Sequence, residues 1–176
     1  MRGSGIDDFR HDIDTTNSAD GKAVYQVMDA SGLSINGMNL GWLVLVNCSN
    51  VEISNIELSH TDQGMLLVGV TDSVIKNCIV HDTGRGISLY YDSNNNIIEN
   101  CTSYNNGFGI YFYSTSDSNI VRNCNIYNNS IEEINKTIFI EVPNTCLEAY
   151  FASGDIDNDK RKGLLLTYFL IVIALV

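Results

Sequence analysis

The side chains best equipped for chemistry sit close together in the chain: His60, Asp62, His81, Asp82 and Arg85. Their spacing matters more than their number. The step from His60 to Asp82 is 22, as are those from Ser59 to His81 and from Gln63 to Arg85. If residues so spaced lie over one another, the five groups gather on two adjacent turns. An inverting glycoside hydrolase needs two carboxyl groups roughly 6.5–9.5 Å apart, which neighbouring turns can supply. A lyase would use a base such as Arg or Lys and a calcium ion held by carboxylates. A second set is aromatic. The step from Tyr90 to Tyr113 is 23, and Tyr111 stands two before Tyr113. Stacked rings flanked by Asn and Asp suit a sugar, which offers apolar faces and hydroxyls.

Both sets also admit plainer readings. His60, Asp82, Asn105 and Asn128 form one series, so the first two can be substitutes at a single bend. His81 shares a series with Tyr104 and Tyr127. Exposed tyrosines favour β-strands whether or not they bind anything.

A repeat must position these residues. Asn55, Asn77, Asn100 and Asn123 recur in steps of 22, 23 and 23. Nine residues after the first three come Gly64, Gly86 and Gly109, then Met65, Ile87 and Ile110. Ile53, Ile75, Ile98 and Val121 precede the asparagines by two, and Ile56, Cys78, Cys101 and Cys124 follow them by one. Apolar residues at every second position, as in Gly109-Ile110-Tyr111-Phe112-Tyr113, mark strands. One such turn cannot bury its face, but turns stacked about 4.8 Å apart make continuous apolar columns. The pattern predicts an all-β fold, a right-handed single-stranded parallel β-helix with coils of 22–23 residues. It also predicts an amide ladder along the Asn55 series. The Cys78, Cys101, Cys124 column is read as buried and inward, either as free thiols or with a disulfide. Gly41-Trp42-Leu43-Val44, one step of 23 before Gly64-Met65-Leu66-Leu67, predicts a further coil.

Composition bounds the partners. With 21 Asp and Glu against 10 Lys and Arg, the net charge of −11 repels phosphate backbones and argues against nucleic acid. No Cys-x-x-Cys pair suggests zinc. Residues 1–23 read as a lead-in with no leader-like apolar stretch, 24–130 as the β-helix, and 131–159 as a divergent cap or linker. Residues 160–176 join Lys160-Arg161-Lys162 to the uncharged run Gly163–Val176. As a helix that run spans about 21 Å, short of a bilayer core of roughly 30 Å, but it suits a membrane anchor. Asp155, Asp157 and Asp159 imitate the start of a calcium loop without its glycine or terminal Glu.

Asn47-Cys48-Ser49-Asn50-Val51-Glu52-Ile53, Asn94-Asn95-Asn96-Ile97-Ile98-Glu99-Asn100 and Asn105-Asn106-Gly107-Phe108-Gly109-Ile110-Tyr111-Phe112 together resemble the NosD-like β-helix repeats. These belong to the carbohydrate-binding and sugar-hydrolase β-helix domains. The lead-in from Asp12 to Tyr25 looks like that of archaeal surface proteins of this kind. The resemblance implies the fold, and it implies lyases, hydrolases, epimerases and non-catalytic surface proteins alike. The expectation is a non-catalytic module at the cell surface, without a cofactor, presenting Tyr90, Tyr111 and Tyr113 to a glycan or to neighbouring surface proteins. The alternative is an enzyme on acidic polysaccharide using His60, Asp62, His81, Asp82 and Arg85.

Overall fold

The computed structural model describes residues 4–131 and the strand Phe139–Glu141. The winding begins with a hairpin of β1 (Ser18–Ala19) and β2 (Lys22–Met28). Its two-residue turn, Asp20-Gly21, has φ of 51° and 70°, the twist a tight hairpin prefers. β3 (Ser34–Asn36) follows. Four coils of three strands come next: β4 (Leu40–Val46), β5 (Glu52–Ser54) and β6 (Glu57–Ser59), then β7 (Gln63–Val68), β8 (Val74–Lys76) and β9 (Ile79–His81). β10 (Arg85–Tyr90), β11 (Ile97–Glu99) and β12 (Thr102–Tyr104) form the third, and β13 (Phe108–Tyr113), β14 (Ile120–Arg122) and β15 (Asn125–Tyr127) the fourth. β16 (Phe139–Glu141) pairs with β14 and carries that sheet past Ser130.

Equivalent strands stack into three sheets: a long-strand sheet β1-β2-β4-β7-β10-β13, a second sheet β3-β5-β8-β11-β14-β16, and a third sheet β6-β9-β12-β15. Among the described strands, every pairing apart from the hairpin is parallel. The expected parallel β-helix is the fold. Met65, Ile87 and Ile110 stand in register, as do Leu67, Leu89 and Phe112, and all are buried. Gly64, Gly86 and Gly109 line up with them. A Cβ on Gly86 would lie 2.4 Å from the Gly109 carbonyl oxygen, so the close stacking demands glycine there.

One expected register is wrong by a residue. Leu43, not Trp42, lies over Met65, a separation of 22. Gly41 instead packs against the β1 backbone, where a Cβ would meet the Ala19 carbonyl. A one-residue slip exchanges faces. Leu43 and Leu45 therefore enter the central core, while Trp42, Val44 and Val46 lie on the outer face of the long-strand sheet.

The corners explain the polar composition. Four columns of residues hold left-handed backbone, with φ between 40° and 71°. They are Asp29, Asn47, Gly69, Tyr91 and Ser114; Gly32, Asn50, Asp72, Asn95 and Ser118; Gly37, Asn55, Asn77, Asn100 and Asn123; and His60, Asp82, Asn105 and Asn128. Asn, Asp and Gly tolerate this conformation at least cost.

The Asn55 series is thus an exposed bend column, and the backbone N–H groups of Asn55, Asn77 and Asn100 donate to the coil above. Among the described residues, only Asn55 passes a side-chain bond along it, to Asn36. The expected ladder is elsewhere. Buried Asn96 accepts from the Ser73 N–H at 3.1 Å, donates to the Val70 carbonyl at 2.7 Å, and donates to Asn119 at 3.1 Å. Asn106 likewise accepts from the Thr83 N–H and donates to the Val80 carbonyl, while its own backbone N–H donates to the Asn129 side-chain oxygen. These amides satisfy corner backbone groups that water cannot reach.

Cys78, Cys101 and Cys124 form the buried inward column and are free thiols, as is Cys48. The flanking Cys124 and Cys78 thiols, with burial, push Cys101 up and keep it neutral. Cys146, the Asp155–Asp159 series and the apolar run 163–176 lie outside the described residues.

Candidate functional site

The alternation that sends Ile110 and Phe112 into the core turns Tyr111 and Tyr113 outward on β13. Tyr113 stands over Tyr90, as expected, with ring centroids 5.0 Å apart. Tyr111 lies 5.8 Å from Tyr90 and 6.2 Å from Tyr113. The three candidate ligand residues therefore meet, but they are unequal. Tyr113 is 41% exposed, Tyr111 is half-buried, and Tyr90 is buried at 7%.

The cover over Tyr90 comes from the start of the chain. A short 3-10 turn, Ile6–Phe9, crosses the outer face of the long-strand sheet, and Phe9 packs fully buried against Tyr90 at 6.0 Å and Tyr91 at 5.9 Å. Beneath it lie Val44, Val46, Leu66 and Val68. Arg10 fastens the turn with paired bonds to Asp29 of 2.6 and 2.8 Å, and the Gln26 amide donates to the Phe9 carbonyl. The Arg10 guanidinium and the Asn47 amide together hold Asp29 down at about 2. Burial raises the Tyr90 phenol above its ordinary value.

The five candidate catalytic residues do not gather in one site: three share a corner, and Arg85 and Asp62 lie apart from them. His60, His81 and Asp82 share a corner of the third sheet. His81 Nδ1 pairs with Asp82 at 2.6 Å and its Nε2 with Glu57 at 3.2 Å, while its ring stacks on Tyr104 at 4.9 Å and 8°. Tyr104 stacks in turn on Tyr127 at 5.2 Å and 4°. His60 approaches Asp20 of the hairpin at 3.4 Å. Burial opposes a charge on His81, but the bonds to Asp82 and Glu57 outweigh it, and its pKa is raised. The same bond holds Asp82 below the usual carboxylate range.

Arg85 belongs to the aromatic face. Its guanidinium lies over the rings of Phe108 at 5.6 Å and Tyr111 at 5.3 Å. Asp62 lies against the Gly84 backbone one coil along. Among the described residues, no group of three or more His, Cys, Asp or Glu side chains is placed to hold a metal ion.

Sequence reasoning missed several participants. Glu57 was accessible from strand alternation, since it shares a face with Ser59, which lies over His81. Phe9 carried no signal, because it precedes the repeat. Nor did the buried polar atoms of this face: Gln63 Nε2 and Oε1, Ser88 Oγ, Arg85 Nε, Trp42 Nε1 and Gln26 Oε1 have no hydrogen-bond partner among the described residues.

A family model described as a right handed beta helix region matches residues 17–160. No curated protein and no solved structure matched the chain.

Proposed function

The chain belongs to the right-handed β-helix family, and we propose that it is a non-catalytic module whose outer long-strand face binds a glycan. The observation that carries this reading is the exposed ring of Tyr113 among Tyr90, Tyr91 and Tyr111, beside an arginine stacked on aromatic rings. A sugar lays its apolar face on such rings and gives its hydroxyls to polar neighbours. The Asn-rich coils support placing the chain with the NosD-like, carbohydrate-binding branch of the family. The apolar run 163–176 supports a membrane tether; display at the cell surface rests on the resemblance to surface β-helix proteins, against the cytoplasmic preference of the basic triplet Lys160-Arg161-Lys162.

Cleavage of acidic polysaccharide fits the geometry less well. Both ring nitrogens of His81 are committed to carboxylates, so neither is free to take a proton from substrate.

The test is titration calorimetry with a panel of oligosaccharides. Tyr113→Ala is expected to weaken binding by about tenfold, or about 1.4 kcal/mol. Unchanged affinity in that variant, or release of reducing ends that Asp82→Asn abolishes, would overturn the proposal. Binding of a neighbouring surface protein, with none of any sugar, would overturn it too.

A further inference from the structure

The orphaned polar atoms on the outer long-strand face ask for a partner, and we propose that Gln63 and Ser88 bind the vicinal hydroxyls of a neutral sugar that displaces the Arg85 guanidinium from the rings of Phe108 and Tyr111. This rests on the glycan reading of the face and sharpens it to a class of ligand.

Register places the group together. Gln63 lies over Arg85, and Arg85 over Phe108, in one column; Ser88 lies over Tyr111 in the next. Arg85 faces outward, since its guanidinium covers the Phe108 and Tyr111 rings, and Gln63 shares its column. Gln63 is 2% exposed and Ser88 fully buried, yet among the described residues neither amide atom of Gln63 nor the Ser88 hydroxyl has a hydrogen-bond partner. Arg85 Nε is in the same state. Buried polar groups are almost always satisfied, so this concentration on one face is unusual.

The inventory selects the ligand. A carboxamide offers a donor and an acceptor side by side, and a hydroxyl offers both in one atom. Vicinal sugar hydroxyls are the matching set: one donates to Gln63 Oε1 while its neighbour accepts from Nε2. A uronate carboxylate would present only acceptors, leaving Gln63 Oε1 against a like charge. It would also approach a chain of net charge −11 with Asp62 on the adjoining turn. The Arg85 guanidinium now occupies the ring faces that a sugar would cover. Arg85 is only partly buried, so it can swing outward and yield those faces.

The experiment is calorimetry and thermal melting on the full chain with cellohexaose, mannohexaose and hexagalacturonate as probes. Gln63→Met is expected to weaken binding of a neutral hexaose by about tenfold or more. Without sugar it is expected to melt at or above the wild-type temperature, because it removes a buried amide with no hydrogen-bond partner among the described residues. Tight binding by Gln63→Met alongside loss in Tyr113→Ala would end the subsite while leaving the face as a glycan site. Tighter binding of hexagalacturonate than of either neutral hexaose, or a fall of several degrees in the melting temperature of Gln63→Met alone, would also overturn the subsite. Failure of both neutral hexaoses to bind would overturn the subsite and the glycan reading together.

Discussion

At the scale of single residues, His81 shows how a side chain suited to catalysis can serve structure. It bridges Glu57 and Asp82 across two coils and lies flat on Tyr104. Its raised pKa means the folded state binds the proton more tightly than the unfolded chain. The stabilisation is therefore fully present below the unfolded value of about 6.5 and is lost as pH rises through the folded value. The melting temperature of wild type relative to His81→Gln should be highest near pH 5 and converge as pH increases to about 9. A difference that does not change with pH would show that the imidazolium contributes nothing. Asparagines divide just as sharply. Asn77 is exposed with φ of 53°, so Asn77→Ala costs mainly left-handed strain, about 1 kcal/mol. Asn96→Ala strands the Ser73 N–H and the Val70 carbonyl inside the corner, for about 3 kcal/mol or more. Urea midpoints of the two variants should differ accordingly; equal midpoints would remove the ladder's importance.

At the scale of the strand and coil, close stacking makes some positions unforgiving. A Cβ at Gly86 would meet the Gly109 carbonyl oxygen at 2.4 Å and Ser103 Oγ at 2.5 Å. Backbone held by its own sheet bonds cannot retreat, so Gly86→Ala should destabilise by about 3 kcal/mol, read as a lowered urea midpoint with loss of the β signal in circular dichroism. A wild-type midpoint would mean the coils are further apart than they stand here. Gly86 was legible in the sequence because its column repeats with Gly64 and Gly109 around unmistakable apolar neighbours. Gly41 misled for the same reason: it mimics that column, yet it answers to the hairpin backbone beside it and the true register follows Leu43. The buried ladders were hidden by chemistry. Ser73, Asn96 and Asn119 do recur in steps of 23, but so do the exposed bend asparagines. Residue type alone does not separate a satisfied buried amide from a left-handed exposed one. The aromatic column was readable through Tyr90 and Tyr113, whereas the burial of Tyr90 was not. Its cover, Phe9, lies several coils earlier in the chain and outside the repeat.

For the whole molecule, the decisive feature is that the long-strand face is two surfaces in one. Stacked coils hold one another only through neighbours, so a segment crossing several coils adds stability that the repeat cannot supply alone. Ile6–Phe9 does this over β4, β7 and β10, covering Val44, Val46, Leu66, Val68 and Tyr90, while Tyr113 on β13 stays open. The Arg10–Asp29 latch is intact at ordinary pH. A carboxylate with a depressed folded pKa contributes above its unfolded value, and the contribution fades only as pH falls toward about 2. Trp42, the only tryptophan, packs against this cluster and so reports on it. Phe9→Ala removes a fully buried ring, a loss of about 3 kcal/mol or more if the segment lifts. Its expected signature is local: Trp42 emission shifts to the red, a hydrophobic dye binds, and the chain tends to self-associate through the bared valines and leucine. The β spectrum should survive, because the central core of Leu43, Met65, Ile87 and Ile110 belongs to a separate cluster from Phe9. Unchanged Trp42 emission without dye binding would mean the first residues are ornament on the face, and global loss of β structure would mean they are part of the core.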